Sequence, residues 1–101
     1  MPRTIKRKAD YFVYMVECNN GTYYTGYTGN LEGRIKRHNS GNGSKYLRGK
    51  LPVRLVYAKG YRYYKSVLHA ERDIKGMTRK QKEALVRSYE KKNARVLTPV
   101  F

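Results

Sequence analysis

The sequence contains no tryptophan, one cysteine, two histidines, two phenylalanines and three prolines among 101 residues. Cys18 alone cannot form a disulfide framework or a cysteine zinc site, and with only His38 and His69 beside it no structural metal cluster is to be expected. Long apolar runs are missing as well. The longest, Tyr11 to Val16, ends at Glu17, far short of the ~18 residues of a membrane span. The basic start (Arg3, Lys6, Arg7, Lys8) is followed by no apolar segment or small-residue cleavage site of the kind a secretory signal needs. The expected location is therefore the cytoplasm. Negative charge is the scarcest commodity: seven Asp and Glu stand against 23 Lys and Arg, a formal net charge of +16. Such an imbalance costs self-repulsion and excludes most acidic or neutral interaction modules.

What is present is positive charge interleaved with tyrosine. Hydrophobic residues make up 40% of the chain, but 11 tyrosines are counted among them, leaving a modest set for one domain's core. Cations that neutralise phosphates release counterions, and tyrosine rings stack on exposed bases. Arg34, Lys36 and Arg37 crowd one segment, Lys45, Arg48 and Lys50 the next, and Arg79, Lys80 and Lys82 a later one. With Tyr27, the residues Lys36, Arg37, Lys45, Arg48 and Lys50 are the candidate contacts to nucleic acid. The alternative is a solvated basic surface.

Residues 1–9 read as a loose basic arm. Residues 11–18 (YFVYMVEC) are β-branched and aromatic on both parities, which fits a strand covered on both faces. After Asn19-Asn20-Gly21, residues 22–28 resume strand character, so a β-hairpin is expected. Asn30 is placed to cap a helix reaching about Asn39, with Leu31 and Ile35 on its buried side. Residues 40–52, rich in glycine, read as a loop with at most one helical turn, and 53–62 as a third strand. A helix follows from Ser66 or its neighbour to Met77. Thr78 with Gln81 forms a capping-box pattern opening another, to about Lys91. The tail, residues 92–101, apolar from Val96 to Phe101, is expected to dock on the body. The order β-β-α-β-α-α, opening with a hairpin, predicts an α+β domain over residues 10–91 with an antiparallel three-stranded sheet flanked by helices.

Three further groups could carry chemistry. In the helix from Ser66, Val67, Ala70, Ile74 and Met77 form an apolar stripe, and at about 100° per residue Glu71 falls on its flank. A carboxylate there needs a metal or an ordinary ion pair. Arg34 and His38 are one helical turn apart: a planar fork for phosphate oxygens beside a group that exchanges protons near neutral pH, or two surface positions. Tyr14 and Tyr24 lie on the hairpin. A two-residue turn would put their rings on opposite faces, whereas a three-residue loop with Gly21 left-handed sets Tyr14 opposite Gly26 with Tyr24 diagonal on the same face. The second register is expected, since Gly26 leaves room for the Tyr14 ring.

Together these residues resemble the GIY-YIG nuclease superfamily: Phe12-Val13-Tyr14, Tyr24-Thr25-Gly26 ten residues on, then Arg34, His38 and Glu71. The stretches HNSGNGSKYLRGKLPVRLVY and AERDIKGMTRKQKEAL are similar to its small single-domain bacterial branch, often labelled YhbQ-like. The resemblance implies hydrolysis of DNA phosphodiesters with one divalent ion, Mg²⁺ or Mn²⁺, in DNA repair or processing. Tyr14 and Tyr24 would be the motif tyrosines, one of them activating or orienting the attacking water. Arg34 would stabilise phosphoryl charge, His38 assist proton transfer and Glu71 hold the metal. The chain departs from the motif at Phe12 (Gly in the motif) and at Thr25 (Ile). Tyr27 stands where some relatives carry Lys, and an Asn found on the helix after the metal-binding Glu has no match near Lys82 and Glu83. The expected partner is DNA, with RNA an alternative, and a protein that supplies specificity is a further candidate partner. A monomer or weak dimer associated with the nucleoid follows, with no membrane. Two other classes remain open: a non-cleaving basic nucleic-acid-binding module on the same fold, and a peripheral membrane protein. The last is disfavoured because neither long helix sorts cations and apolar residues into a membrane face.

Overall fold

The computed structural model describes residues 9–93; the expected arm up to residue 8 and the expected tail beyond residue 93 lie outside the described residues. The elements are β1 (Tyr11–Glu17), β2 (Tyr23–Thr28), α1 (Leu31–Asn39), a single 3₁₀ turn (Lys45–Leu47), β3 (Arg54–Tyr61), α2 (Tyr64–Lys75) and α3 (Arg79–Lys92). The sheet is antiparallel throughout in the order β2-β1-β3, so the predicted α+β architecture holds.

β1 is the central strand, and its two-sided apolar pattern explains why. Val13 and Met15 point to one face, where they meet Val56, Val67, Ile74 and Val86 beneath α2 and α3. Tyr14 and Val16 point to the other, with Ile35, Leu47 and Val53 beneath α1 and the 3₁₀ turn. The sheet thus separates two small cores. A Leu- or Ile-sized truncation in either would cost about 2–5 kcal/mol.

The hairpin takes the three-residue loop. Gly21 has φ +87°, Cys18 and Thr22 close the ladder with a 2.8 Å bond, and Tyr14 pairs with Gly26. Asn30 caps α1 by accepting from the Gly33 amide at 3.1 Å, and Thr78 and Gln81 form the reciprocal capping box of α3. α2 begins at Tyr64, two residues before Ser66, and its cap residue Tyr63 makes no side-chain bond. Packing supplies the signal that a capping side chain would have given: the Tyr64 ring rests 5.6 Å from Tyr11 and 5.8 Å from Tyr27. α2 also closes at Lys75 rather than Met77.

Two side-chain ties fix the periphery. Asn39, the last residue of α1, grips the Val53 backbone from both sides: the Val53 amide donates to Oδ1 at 2.7 Å, and Nδ2 donates to its carbonyl at 3.1 Å. Arg79, the first residue of α3, lies over the Tyr23 ring and donates to the Gly21 carbonyl at 2.9 Å. Among the described residues no helix is long and apolar enough to cross a membrane.

Candidate active site around the edge strand

β2 is an edge strand, and the candidate residues gather on both of its faces. On the α1 face, Tyr14 is 1% exposed and its ring passes over Gly26; a Cβ there would lie 2.7 Å from the hydroxyl oxygen. Gly26 is therefore a space requirement, as its place opposite Tyr14 predicts. The Tyr14 hydroxyl reaches Nε2 of His38 at 2.8 Å. His38 is 2% exposed, so the surface alternative for it fails: the helix register that exposes Lys36 and Arg37 turns His38 inward with Ile35.

Burial drives the electrostatics of this pair. It pushes the Tyr14 hydroxyl up to about 12, aided by Tyr24 and opposed by the cation of Arg34. Burial likewise holds the His38 imidazole below the usual histidine range, with the cations of Arg34 and Arg37 adding to the effect. At neutral pH Tyr14 thus keeps its proton and His38 is uncharged. The consistent assignment has Tyr14 donating to His38 Nε2. The proton of His38 then sits on Nδ1, which is buried without a partner among the described residues and abuts Gly43.

Tyr24 meets the His38 ring edge-on at 5.7 Å and stacks on Tyr46 at the same centroid distance. Beside them a cavity of about 300 Å³ opens between Tyr24, Arg34, Arg37, His38, Gly43 and Ser44. Two guanidinium groups give it the character of an anion pocket.

On the α2 face stands Glu71, with its side chain 18% exposed and its Oε2 3.1 Å from Lys75 Nζ. The ion-pair alternative read from the sequence is thus realised. Its charge still reaches across the edge strand, raising Tyr14 and Tyr27. Tyr27 also lies on this face, its hydroxyl 3.0 Å from that of Tyr64, a bond that leads the causes raising its pKa. It is accordingly grouped with Glu71 and not with the lysines and arginines of the opposite face.

Those cations are divided in their commitments. Lys36 pairs with Glu32 at 3.1 Å, Arg37 Nε donates to the Asn42 carbonyl at 3.3 Å, and Lys50 donates to the Tyr46 carbonyl at 3.1 Å. Lys45 and Arg48 are exposed at the 3₁₀ turn. Sequence reasoning missed Tyr46, Tyr64 and Gly43; the available hint was an aromatic set among the basic residues of SKYLRG.

Among the described residues there is no group of three or more His, Cys, Asp or Glu side chains. A magnesium ion held through one carboxylate, its other positions left to water and phosphate oxygens, suits a donor set of this kind. Glu71, with its side chain 18% exposed, is the single carboxylate of the candidate set, and such an ion would take the place of the Lys75 ammonium on it.

The sheet carries a tyrosine, a histidine and an arginine on one face and a glutamate on the other, and the family match makes this a nuclease-type catalytic domain. Residues 10–84 match the GIY-YIG catalytic domain, and the chain belongs to that family. Within it, the chain is similar to the UPF0213 proteins. It is 46% identical over 77 residues to one from Bacillus cereus, covering 76% of this chain and 80% of that one. It is 45% identical over 73 residues to one from Halobacterium salinarum, covering 72% and 95%. Relatives in bacteria and archaea widen the bacterial branch that the sequence resembles. The solution structure of a UPF0213 protein from Bacillus halodurans superposes with a TM-score of 0.53 at 38% identity, covering 87% of this chain and 98% of that one. A protein from E. faecalis gives 0.56 at 33% identity, covering 85% and 92%.

Proposed function

We propose that the protein is a metal-dependent DNA endonuclease that hydrolyses phosphodiester bonds, acting on a DNA structure or with a partner in DNA repair or processing. The observation that carries this reading is the buried 2.8 Å bond from Tyr14 to His38, beside the cation of Arg34. It is a proton path ending at a basic pocket. As an attacking water gives its proton to the Tyr14 oxygen, the phenolic proton moves to His38 Nε2, leaving an imidazolium. Burial and the neighbouring arginines oppose that charge. A phosphate entering the pocket offsets the opposition by neutralising Arg34 and Arg37. Arg34 then serves a second role, stabilising charge that develops on the phosphoryl oxygens. Tyr24, edge-on to His38, keeps the imidazole aligned with Tyr14. Glu71 would hold a magnesium or manganese ion, which supplies Lewis-acid activation and neutralises the leaving oxygen when bound.

A second reading, a non-cleaving nucleic-acid-binding module of cytoplasm or nucleoid, is favoured by one observation: the Glu71 carboxylate is engaged by Lys75. Cleavage of branched, nicked and plain DNA with Mg²⁺ or Mn²⁺, by the wild type, Glu71→Gln and Arg34→Ala, separates the two. Metal-dependent cutting lost in both variants with DNA binding retained in Glu71→Gln supports the nuclease. Salt-sensitive binding without cutting on any substrate overturns it in favour of the binder.

A further inference from the structure

Tyr46 is 50% exposed, yet it is not a loose surface ring. It stacks on Tyr24 with 24° between the planes, and its backbone amide donates to the Ser44 hydroxyl at 3.1 Å. Lys50 Nζ sits 4.2 Å from the ring centroid. Lys45 and Arg48, both exposed, flank it in the chain. A ring held from behind and attended by cations becomes a stacking platform once Lys50 moves off it, and every nucleobase presents the π-face to use it. The cavity between Arg34 and Arg37 opens beside its stacking partner Tyr24, which places an anion pocket next to the platform. Base platform and anion pocket together match a single nucleotide unit. Inside a duplex, both faces of a base are covered by its neighbours, so away from the duplex ends only an unpaired nucleotide can stack there.

From this arrangement we infer that Tyr46 holds the base of an unpaired nucleotide, whose phosphate enters the Arg34–Arg37 cavity. The substrate class is then DNA with a single-stranded segment at the cleavage point, such as a flap or an overhang. Lys50, displaced from the ring by the base, is free to meet a neighbouring phosphate. The inference rests on the nucleic-acid part of the function proposed above and deepens it.

The test is binding in EDTA, where cleavage plays no part. Fluorescence anisotropy compares a single-stranded oligonucleotide with a blunt duplex of the same sequence, and a 2-aminopurine base in the single strand reports stacking. Wild-type protein is expected to quench the 2-aminopurine and to lose about tenfold in single-strand affinity on Tyr46→Ala, the duplex affinity moving by no more than about twofold. Tyr46→Phe keeps the ring and should keep both. Unchanged duplex affinity also reports that the alanine variant is folded. Equal losses on both DNAs, or no quenching by the wild type, overturn the inference. If the wild type cuts no DNA with either metal, the nuclease reading fails on its own, while the strand contrast in EDTA still decides the role of Tyr46.

Discussion

Placing alanine at Gly26 tests whether the site depends on one absent methyl group. The new Cβ would lie 2.7 Å from the Tyr14 oxygen and 2.9 Å from Cζ, where ordinary contact begins at 3.4 Å. The hydroxyl must therefore give way by about 0.7 Å. His38, only 2% exposed and backed by Gly43, has little room to follow, so the 2.8 Å bond is lost. Overpacking costs about 1–3 kcal/mol, and leaving the buried His38 Nε2 unpaired about 1–3 more. Gly26→Ala should thus destabilise by roughly 2–6 kcal/mol, and Tyr14→Phe, which removes only the hydroxyl, by roughly 1–3. The double variant carries the informative number. With the hydroxyl gone, the closest clash disappears while the Cζ and Cε2 contacts at 2.9 and 3.3 Å remain, and the lost bond to His38 is counted once instead of twice, so the pair should cost less than the sum of the singles by about 1 kcal/mol or more. Urea unfolding followed by circular dichroism measures all four proteins. Additivity within about 0.5 kcal/mol would refute the claim that Gly26 is kept clear for the Tyr14 hydroxyl.

Other perturbations act through separate features. Thr25 stands where the family motif has an apolar residue, and its hydroxyl is buried with no partner among the described residues; Thr25→Val should stabilise by about 1 kcal/mol and raise the Tm by roughly 4–8 °C in a thermal melt. Asn39→Ala removes both bonds to Val53 and should cost about 2 kcal/mol, read from the urea midpoint. Tyr14, raised to about 12 in the folded state against about 10 unfolded, contributes stability that is whole below pH 10 and lost as pH rises toward 12. The loss, roughly 2–3 kcal/mol, should be smaller in Tyr14→Phe when unfolding is followed across that window. His38 has the opposite sign: its lowered pKa makes the unfolded chain the better proton acceptor, so stability should fall as pH drops below about 6.5 and His38→Gln should flatten that slope.

Much of the architecture is legible because its determinants are local. The two-sided apolar run of β1, the left-handed Gly21, the Asn30 cap and the Thr78–Gln81 box each act within a few residues. The Tyr14–Gly26 pairing is readable for the same reason, because loop length fixes hairpin register. What escapes is whatever depends on contacts between distant segments. Nothing near Tyr63 announces a helix start, since Tyr11 and Tyr27 supply the packing. The irregular pairing of β1 with β3 after Met15 leaves no local mark. At the site, Arg34 and His38 are legible as neighbours on α1, but the burial of His38 against Gly43 depends on the fold of the glycine-rich loop. Tyr46 reaches Tyr24 through that loop as well, and no periodicity spans it.

β1 is paired along both edges and buried on both faces, so no partial opening releases its amides while either core stands. Its middle residues should be the last in the protein to exchange hydrogen for deuterium, at a rate that tracks global unfolding. Tyr14 sits among them. The residue that begins the proton path is therefore anchored in the least yielding part of the chain, while Arg34, His38 and Glu71 come from helices packed on either side. Repositioning for substrate falls to the helices, around a phenol that stays in place.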